Sequence, residues 1–400
     1  MSLNSTPSAD RLHIAFFGRR NAGKSSVVNA VTGQDLAIVS ETLGTTTDPV
    51  SKAMELLPLG PVVIIDTPGI DDEGDLGTLR VKRSYQVLNK TDIAVVVIDS
   101  VIGMTEQDRA LLERIKDKNI PYIIAYNKND LARAEITDSH EILVSAETGD
   151  NINELKEMIA ALSKGHENTK TIVSHMLKKD DIAVLVVPID ESAPKGRLIL
   201  PQQQTIRDLL DHHCMAFVTQ PEELPQTLAS LGKKPAVVIT DSQAFRRVSM
   251  DTPDDILLTS FSILFANYKG NLRLAVEGVK ALDTLHSGDR ILISEGCTHH
   301  RQCGDIGTVK LPKLIAKYTG ISDLDYEWSS GTGFPDDLSA YKMIIHCGGC
   351  MLSEREMKYR LKCADDENIP ITNYGTAIAY MNGILKRSLD IFPDIAEILG

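Results

Sequence analysis

The stretch Gly18-Arg-Arg-Asn-Ala-Gly23-Lys24-Ser25 constrains this chain more than any other. An apolar run, Leu12 to Phe17, precedes it, and Ser26 to Val31 has the pattern of a helix. Strand, glycine loop and helix in that order form a phosphate cradle. The glycines let backbone N–H groups close around phosphate oxygens, and the helix N-terminus adds partial positive charge. The candidate phosphate-binding residues are therefore Gly18, Asn21, Ala22, Gly23, Lys24, Ser25 and Ser26. Lys24 is expected to reach the outer phosphates, and Ser25 to place its hydroxyl on a magnesium ion.

The rest of a nucleotide switch follows in order. Val62 to Ile65 is an apolar strand ending in Asp66-Thr-Pro-Gly69. Asp66 is placed to hold magnesium through a water, and the Gly69 N–H to meet the terminal phosphate. Tyr122 to Tyr126 ends in Asn127-Lys128-Asn129-Asp130. An aspartate there can accept two hydrogen bonds from guanine N1–H and the exocyclic amine, a donor pair that adenine lacks. Ile142 to Val144 leads into Ser145-Ala146, whose backbone supports the base from the other side. The expected ligands are thus GTP and Mg2+, with Asn127, Lys128, Asp130, Ser145 and Ala146 at the base.

These motifs resemble the TrmE–Era–Der branch of the GTPases. Between the first two lies Gly44-Thr-Thr46-Thr47-Asp48, which fits the branch pattern Gly-x-Thr-x-Asp. The resemblance implies that Thr46 is the switch threonine, ordered by the terminal phosphate and magnesium. Thr47 stands where the branch usually has arginine. Asn21 matches an asparagine that helps bind K+ in potassium-stimulated members, a cation acting in place of an arginine finger; an asparagine that merely stabilises the loop is the alternative. Many GTPases carry a water-orienting glutamine after Asp-x-x-Gly. Here Ile70 stands in that place, so slow hydrolysis is expected. Asp71, Asp72, Glu73 and Asp75 follow as substitutes or as an ordinary solvated switch loop.

Four hundred residues exceed one ordinary core, and 42% apolar content supports well-packed domains. The fold expected is α/β in three domains: a P-loop GTPase fold over 11–165, a small α/β dimerisation domain over 166–265 and an α/β cluster-binding domain over 266–400, after a disordered tail at 1–10. The polar break Ser163 to Thr169 marks the first boundary. Strands over Ala183–Val187, Ala216–Val218 and Ala236–Thr240, with helices over Thr205–His212 and Glu222–Leu231, predict a small parallel sheet. It has no coherent motif, which suggests association, and a homodimer is expected. His212-His213-Cys214 has the composition of a metal triplet, but adjacent helical residues face different ways.

The net charge of −13, with no long basic run, argues against nucleic acid as partner. Apolar runs such as Ile93–Ile98 are too short to span a membrane. The first ten residues lack a signal-peptide pattern, so a cytoplasmic protein is expected.

Two thiol motifs occupy the last third. Cys297-Thr-His299 lies just past the predicted strand Arg290–Ser294, and a helix is expected from Lys310 to Lys317. His346-Cys347-Gly-Gly-Cys350 lies past the strand Tyr341–Ile345, with Ser353–Cys363 helical after it. Ligands of an open parallel sheet bind beyond the strand C-termini, so the two motifs should meet. A dithiol redox pair, a zinc site using Cys297, His299, Cys347 and Cys350, and an iron–sulfur cluster all fit; Gly348 and Gly349 leave room for a cluster. Cys303 is a reserve ligand, and Cys214 and Cys363 have no motif partner.

A GTPase domain joined to Cys-x-His and then His-Cys-x-x-Cys resembles the HydF family, GTPases that mature FeFe-hydrogenase. The resemblance covers essentially the whole chain. It implies a 4Fe-4S cluster held by Cys297, Cys347 and Cys350, with His299 and His346 as candidates for the fourth position. It also implies a scaffold or carrier that receives a di-iron precursor from radical-SAM hydrogenase maturases and delivers it to apo FeFe-hydrogenase. A ribosome- or tRNA-associated GTPase, or a regulatory GTPase with a structural zinc site, are the competing readings.

Overall fold

The computed structural model describes residues 10–34, 49–71, 81, 83–163, 170–189, 198–296, 305–331, 333–335 and 337–399. The chain divides into two compact units, Met1–Asn168 and Thr169–Gly400.

The first unit is a sheet of strands β1 (Leu12–Phe17), β2 (Val50–Leu56), β3 (Gly60–Asp66), β4 (Ile93–Asp99), β5 (Tyr122–Asn127) and β6 (Glu141–Leu143), in the order β2-β3-β1-β4-β5-β6. All pairs are parallel except β2 with β3. Every residue of β4, the run Ile-Ala-Val-Val-Val-Ile-Asp, is buried. A central parallel strand is covered on both faces, so it has no polar alternation. Helices α1 (Lys24–Thr32), α2 (Glu106–Asp117) and α3 (Ile152–Ser163) accompany the sheet. In α3 the buried residues are Ile152, Leu155, Ile159 and Ala160, one stripe at helical spacing. Separate apolar clusters fill the two faces.

The second unit holds two four-stranded parallel sheets. The first, ordered β10-β9-β7-β8, uses β7 (Ile182–Val186), β8 (Met215–Thr219), β9 (Val237–Thr240) and β10 (Leu257–Ser260). The second, ordered β12-β11-β13-β14, uses β11 (Arg290–Glu295), β12 (Asp325–Ser330), β13 (Met343–His346) and β14 (Ile371–Asn373). Helices α4 (Leu200–Asp211), α5 (Leu224–Ser230), α6 (Phe245–Asp251), α7 (Phe261–Lys269) and α8 (Leu272–Val279) are followed by α9 (Leu311–Thr319), α10 (Glu354–Asp366) and α11 (Tyr374–Met381). Short helices α12 (Leu385–Ser388) and α13 (Pro393–Ala396) end the chain. One apolar cluster contains Val184, Ile239, Phe265, Ile293 and Ile345, so side chains from both sheets share a core. A second, around Leu292, Ile344 and Leu361, fills the other face of β11 and β13 against α10.

The structure amends several sequence expectations. Helix α4 begins at Leu200 rather than Thr205, with Pro201 in its first turn, where a missing N–H costs nothing. Helix α9 is entered through a π turn, Ile306–Lys310. His346 is the last residue of β13 rather than a loop residue. His212 is the C-cap of α4, His213 takes a left-handed turn and Cys214 is buried in the core, so the triplet converges on nothing.

Candidate functional site

The nucleotide site is built where β1 meets α1. Gly18 has φ 147°, and a Cβ there would stand 2.2 Å from the Val97 carbonyl oxygen of β4. Gly23, the N-cap of α1, has φ 85°, and a Cβ there would meet Asn127 Nδ2 at 2.2 Å. Both positions require glycine, sterically and by backbone conformation. Asn127 Nδ2 donates to the Ala22 carbonyl at 3.0 Å, which ties the base-binding loop to the phosphate loop. Asn21 is exposed with φ 61°.

Lys24 is buried and donates from Nζ to the Arg19 carbonyl at 2.7 Å. Ser25 Oγ donates to Asp66 Oδ2 at 2.7 Å. The other oxygen, Asp66 Oδ1, is buried with no hydrogen-bond partner. Burial raises the Asp66 pKa, against the Ser25 hydrogen bond and the Lys24 charge. An orphaned buried carboxylate oxygen beside a serine hydroxyl is the donor set that magnesium takes up. Gly69 packs on the phosphate loop: a Cβ there would meet Arg20 N at 3.0 Å. Ile70 is buried in the core and cannot orient a water. Asp71 accepts from Arg20 N at 2.6 Å and from Arg19 Nε at 3.3 Å. These two arginines were passed over by motif reasoning, because the middle positions of the loop pattern are unspecified. Thr46, Asp72, Glu73 and Asp75 lie outside the described residues.

At the base site Lys128 has φ 67°, and its Nζ meets Asp99 Oδ2 at 2.5 Å. Burial alone would raise the Asp99 pKa, but the Lys128 ammonium and the Val101 and Ile102 amides overcome it and hold it below the usual carboxylate range. Asp130 Oδ1 accepts from Ser145 Oγ at 2.6 Å. Ala146 N donates to Asn127 Oδ1 at 3.1 Å. The sequence-assigned base residues thus form one connected loop pair. Asp99 is the member that motif reasoning missed, being an unremarkable strand-end residue.

The second site lies at the C-terminal end of the β11–β13 pair. Ser294 stands opposite His346 in register. Cys347 N donates to the Ser294 carbonyl at 2.8 Å, and Cys347 Sγ accepts from Gly296 N at 3.1 Å and Gly349 N at 3.4 Å. The residue that leads into Cys297 therefore touches the Cys347 sulfur. Cys297, His299 and Cys303 lie outside the described residues, and among the described residues no three His, Cys, Asp or Glu side chains group as a metal site. Burial and the neighbouring Cys347 push the Cys350 thiol up to about 11, with Lys269 acting against them. A cation bound there would release that cost by taking the thiolate. Amides aimed at sulfur, a side-chain-free Gly348 with open space beyond it, and Gly349 at φ 63° suit a bulky sulfide cluster.

Long-range partners complete this end of the sheet. Lys269, buried at the end of α7, donates to the carbonyls of Cys350 at 3.3 Å and Leu352 at 3.4 Å. Tyr374 OH donates to Glu295 Oε1 at 3.1 Å, and burial and the Glu295 charge raise the Tyr374 pKa. A Cβ on Gly307 of the π turn would strike both, at 2.2 Å from Tyr374 OH and 2.7 Å from Glu295 Oε1. His346 is fully buried, with Nδ1 2.7 Å from the Cys347 carbonyl oxygen and Nε2 3.1 Å from Arg360 Nη1. Of these residues His346 was marked in the sequence by its motif; Lys269, Glu295, Tyr374 and Arg360 were not.

Comparisons with known proteins match three segments of the chain. A family model described as a 50S ribosome-binding GTPase matches residues 13–128. The hydrogen maturase F dimerization domain matches 172–270, and the hydrogen maturase F tetramerization domain matches 273–391. The tRNA modification GTPase MnmE of Legionella pneumophila (strain Corby) is 38% identical over 153 residues, 37% of this chain and 34% of that protein. GTPase Der of Maridesulfovibrio salexigens is 41% identical over 128 residues, 31% of this chain and 28% of its own. The chain spans about a third of the length of these relatives. A probable GTP-binding protein engB of known structure is 23% identical with a TM-score of 0.31, covering 38% of this chain and 99% of that one.

Proposed function

The chain belongs to the HydF family of hydrogen maturases, and from that premise we propose that it is a GTP-hydrolysing switch coupled to an iron–sulfur scaffold. It carries a GTPase domain, followed by the dimerization and tetramerization domains of that family. In this reading GTP sits with its phosphates on the loop Gly18–Ser26 and its guanine on Asp130. Magnesium takes Ser25, Asp66 through a water and, in the GTP state, Thr46. Hydrolysis is slow, since Ile70 offers no hydrogen bond to water; a K+ beside Asn21 is the proposed source of charge compensation.

In the second unit Cys297, Cys347 and Cys350 hold a 4Fe-4S cluster, and its fourth iron is left for exchange. When bound, the cluster supplies an iron site at which a di-iron precursor can be carried. The chain's own residues present the Gly296 and Gly349 amides to the Cys347 sulfur and close the thiolate turn. The precursor comes from radical-SAM maturases and goes to apo FeFe-hydrogenase, so the nucleotide state times loading or release. The protein acts as a homodimer, and β8, an edge strand exposing Met215, Phe217 and Val218, is the proposed contact.

The observation that carries the reading is the Gly296 N–H at 3.1 Å from Cys347 Sγ, which puts the chain entering Cys297 against the Cys-x-x-Cys turn. Anaerobic reconstitution with iron and sulfide tests it. A brown protein whose broad visible absorption is lost in Cys347→Ser is expected. A colourless protein holding one zinc per chain would sink it. The ribosome- or tRNA-associated GTPase reading has the likeness to MnmE over 37% of the chain and the 50S ribosome-binding GTPase model over 13–128 behind it, and both leave the second unit unexplained.

A further inference from the structure

Behind the Cys-x-x-Cys turn the second unit buries a guanidinium. Arg360 of α10 is 0% exposed. A charge so placed persists only when its N–H groups find acceptors. Nε and Nη2 pair with Glu356 Oε1 at 3.0 and 2.9 Å, and Nη2 also donates to the Gly331 carbonyl at 2.5 Å. Nη1 is directed at Ser294 Oγ, 3.4 Å away, and at His346 Nε2, 3.1 Å away. The Phe334 ring lies against the guanidinium at 5.2 Å.

These partners settle which ring nitrogen of His346 faces an acceptor and which a donor. The Cys347 carbonyl can only accept, so Nδ1 carries the ring proton. A guanidinium can only donate, so Nε2 carries the lone pair, and Arg360 occupies it. No lone pair of the ring is left over for a metal.

We propose that Arg360 is a positioning residue of the thiolate turn. It locks His346 in the Nδ1–H tautomer, and His346 in turn holds the carbonyl of Cys347. The amide of Cys347 is already held by Ser294, so both peptide groups flanking its α-carbon are fixed. Its sulfur is thereby set against the Gly296 and Gly349 amides. His346 is a strut and not an iron ligand. The benefit to cluster retention rests on the cluster reading above; the strut is a property of the metal-free chain.

The test uses full-length protein carrying 15N-histidine. Ring nitrogen–proton correlation spectra of the metal-free form should show His346, assigned by its loss in His346→Gln, as the Nδ1–H tautomer. Arg360→Met combined with Glu356→Gln, which leaves no buried carboxylate without its partner, should abolish that preference while near-UV circular dichroism stays native. Arg360→Lys, which keeps a donor, should restore part of it. After reconstitution, pulsed EPR of the reduced cluster should show no directly bonded histidine nitrogen from His346. Chelator should strip the cluster about 10-fold faster or more from the paired variant. An Nε2–H tautomer in the native protein overturns the proposal. So does a strong nitrogen coupling lost in His346→Gln, or a stripping rate unchanged once the tautomer is lost. A chain that takes up no cluster yet shows the locked tautomer, released in the paired variant, sinks the cluster reading and leaves the strut standing.

Discussion

In the proposed nucleotide site, two single side chains, Asp66 and Asp130, bear most of the specificity. Asp66 is buried, keeps one oxygen without a partner and has a raised pKa. A carboxyl raised above its unfolded value opposes folding wherever it is ionised; that penalty is full above the raised value and vanishes as pH falls below the ordinary carboxylate range. Magnesium bound beside the carboxylate would offset it. The Tm gain on adding magnesium to the GDP-bound protein should therefore be larger at about pH 7 than at about pH 4.5. Equal gains in differential scanning fluorimetry would show that Asp66 does not face the metal. Asp130 is oriented by Ser145, so Asp130→Asn should weaken GTP by about 3 kcal/mol, roughly 100-fold. Xanthine, which presents a carbonyl where guanine has an amine, should regain affinity in that variant. Isothermal titration with GTP and XTP reads both.

Helices and strands approach one another closely where glycine permits it. On α8, a Cβ at Gly278 would stand 2.2 Å from the Ile371 carbonyl oxygen of β14. Thr372 of β14 also donates to the Ala275 carbonyl at 2.8 Å, so helix and strand are locked in register. Gly278→Ala must push backbone from backbone and should cost about 2 kcal/mol or more, read as a lowered midpoint in urea with unchanged slope. In the first unit the corresponding close approach is Gly18 against β4, and Gly18→Ala should abolish nucleotide binding before it unfolds the sheet. Retained GTP affinity in that variant would show that the loop tolerates a shifted β1–β4 contact. Asn127 acts between elements too, since its side chain bonds the phosphate loop on one side and the Ala146 amide on the other.

The nucleotide-binding motifs lie in one compact unit and the Cys347–Cys350 turn in the other. The second unit has side chains from both its sheets in one core, so loss of one sheet should unfold the other. Its β8 edge exposes Phe217 at 40% and Val218 at 50%. Phe217→Lys with Val218→Lys should lower the sedimentation coefficient at micromolar concentration, with the far-UV spectrum unchanged. An unaltered sedimentation coefficient would move the contact elsewhere. Among the described residues no helix is long and apolar enough to cross a membrane.

Contiguous chemistry was legible in the amino-acid order. The phosphate loop, Asp66-Thr-Pro-Gly69, Asn127–Asp130 and Cys347–Cys350 each use neighbouring backbone groups, so their residues must be adjacent and appear as patterns. The long buried strands β4 and β7 were equally plain, because full burial leaves unbroken apolar runs. Strand β14 has only three residues, and β12 reads Asp-Tyr-Glu-Trp-Ser-Ser with exposed edges, so neither had a period to find. Pairings across the fold were invisible for a different reason. Lys269 with Cys350, Tyr374 with Glu295 and Arg360 with His346 join residues from separate elements. Nothing local marks such residues, since a buried charge and an exposed one are spelled with the same letter. Which of the two Arg360 would be depended on packing: α10 brings it beneath β13, where desolvation forces each donor to find an acceptor.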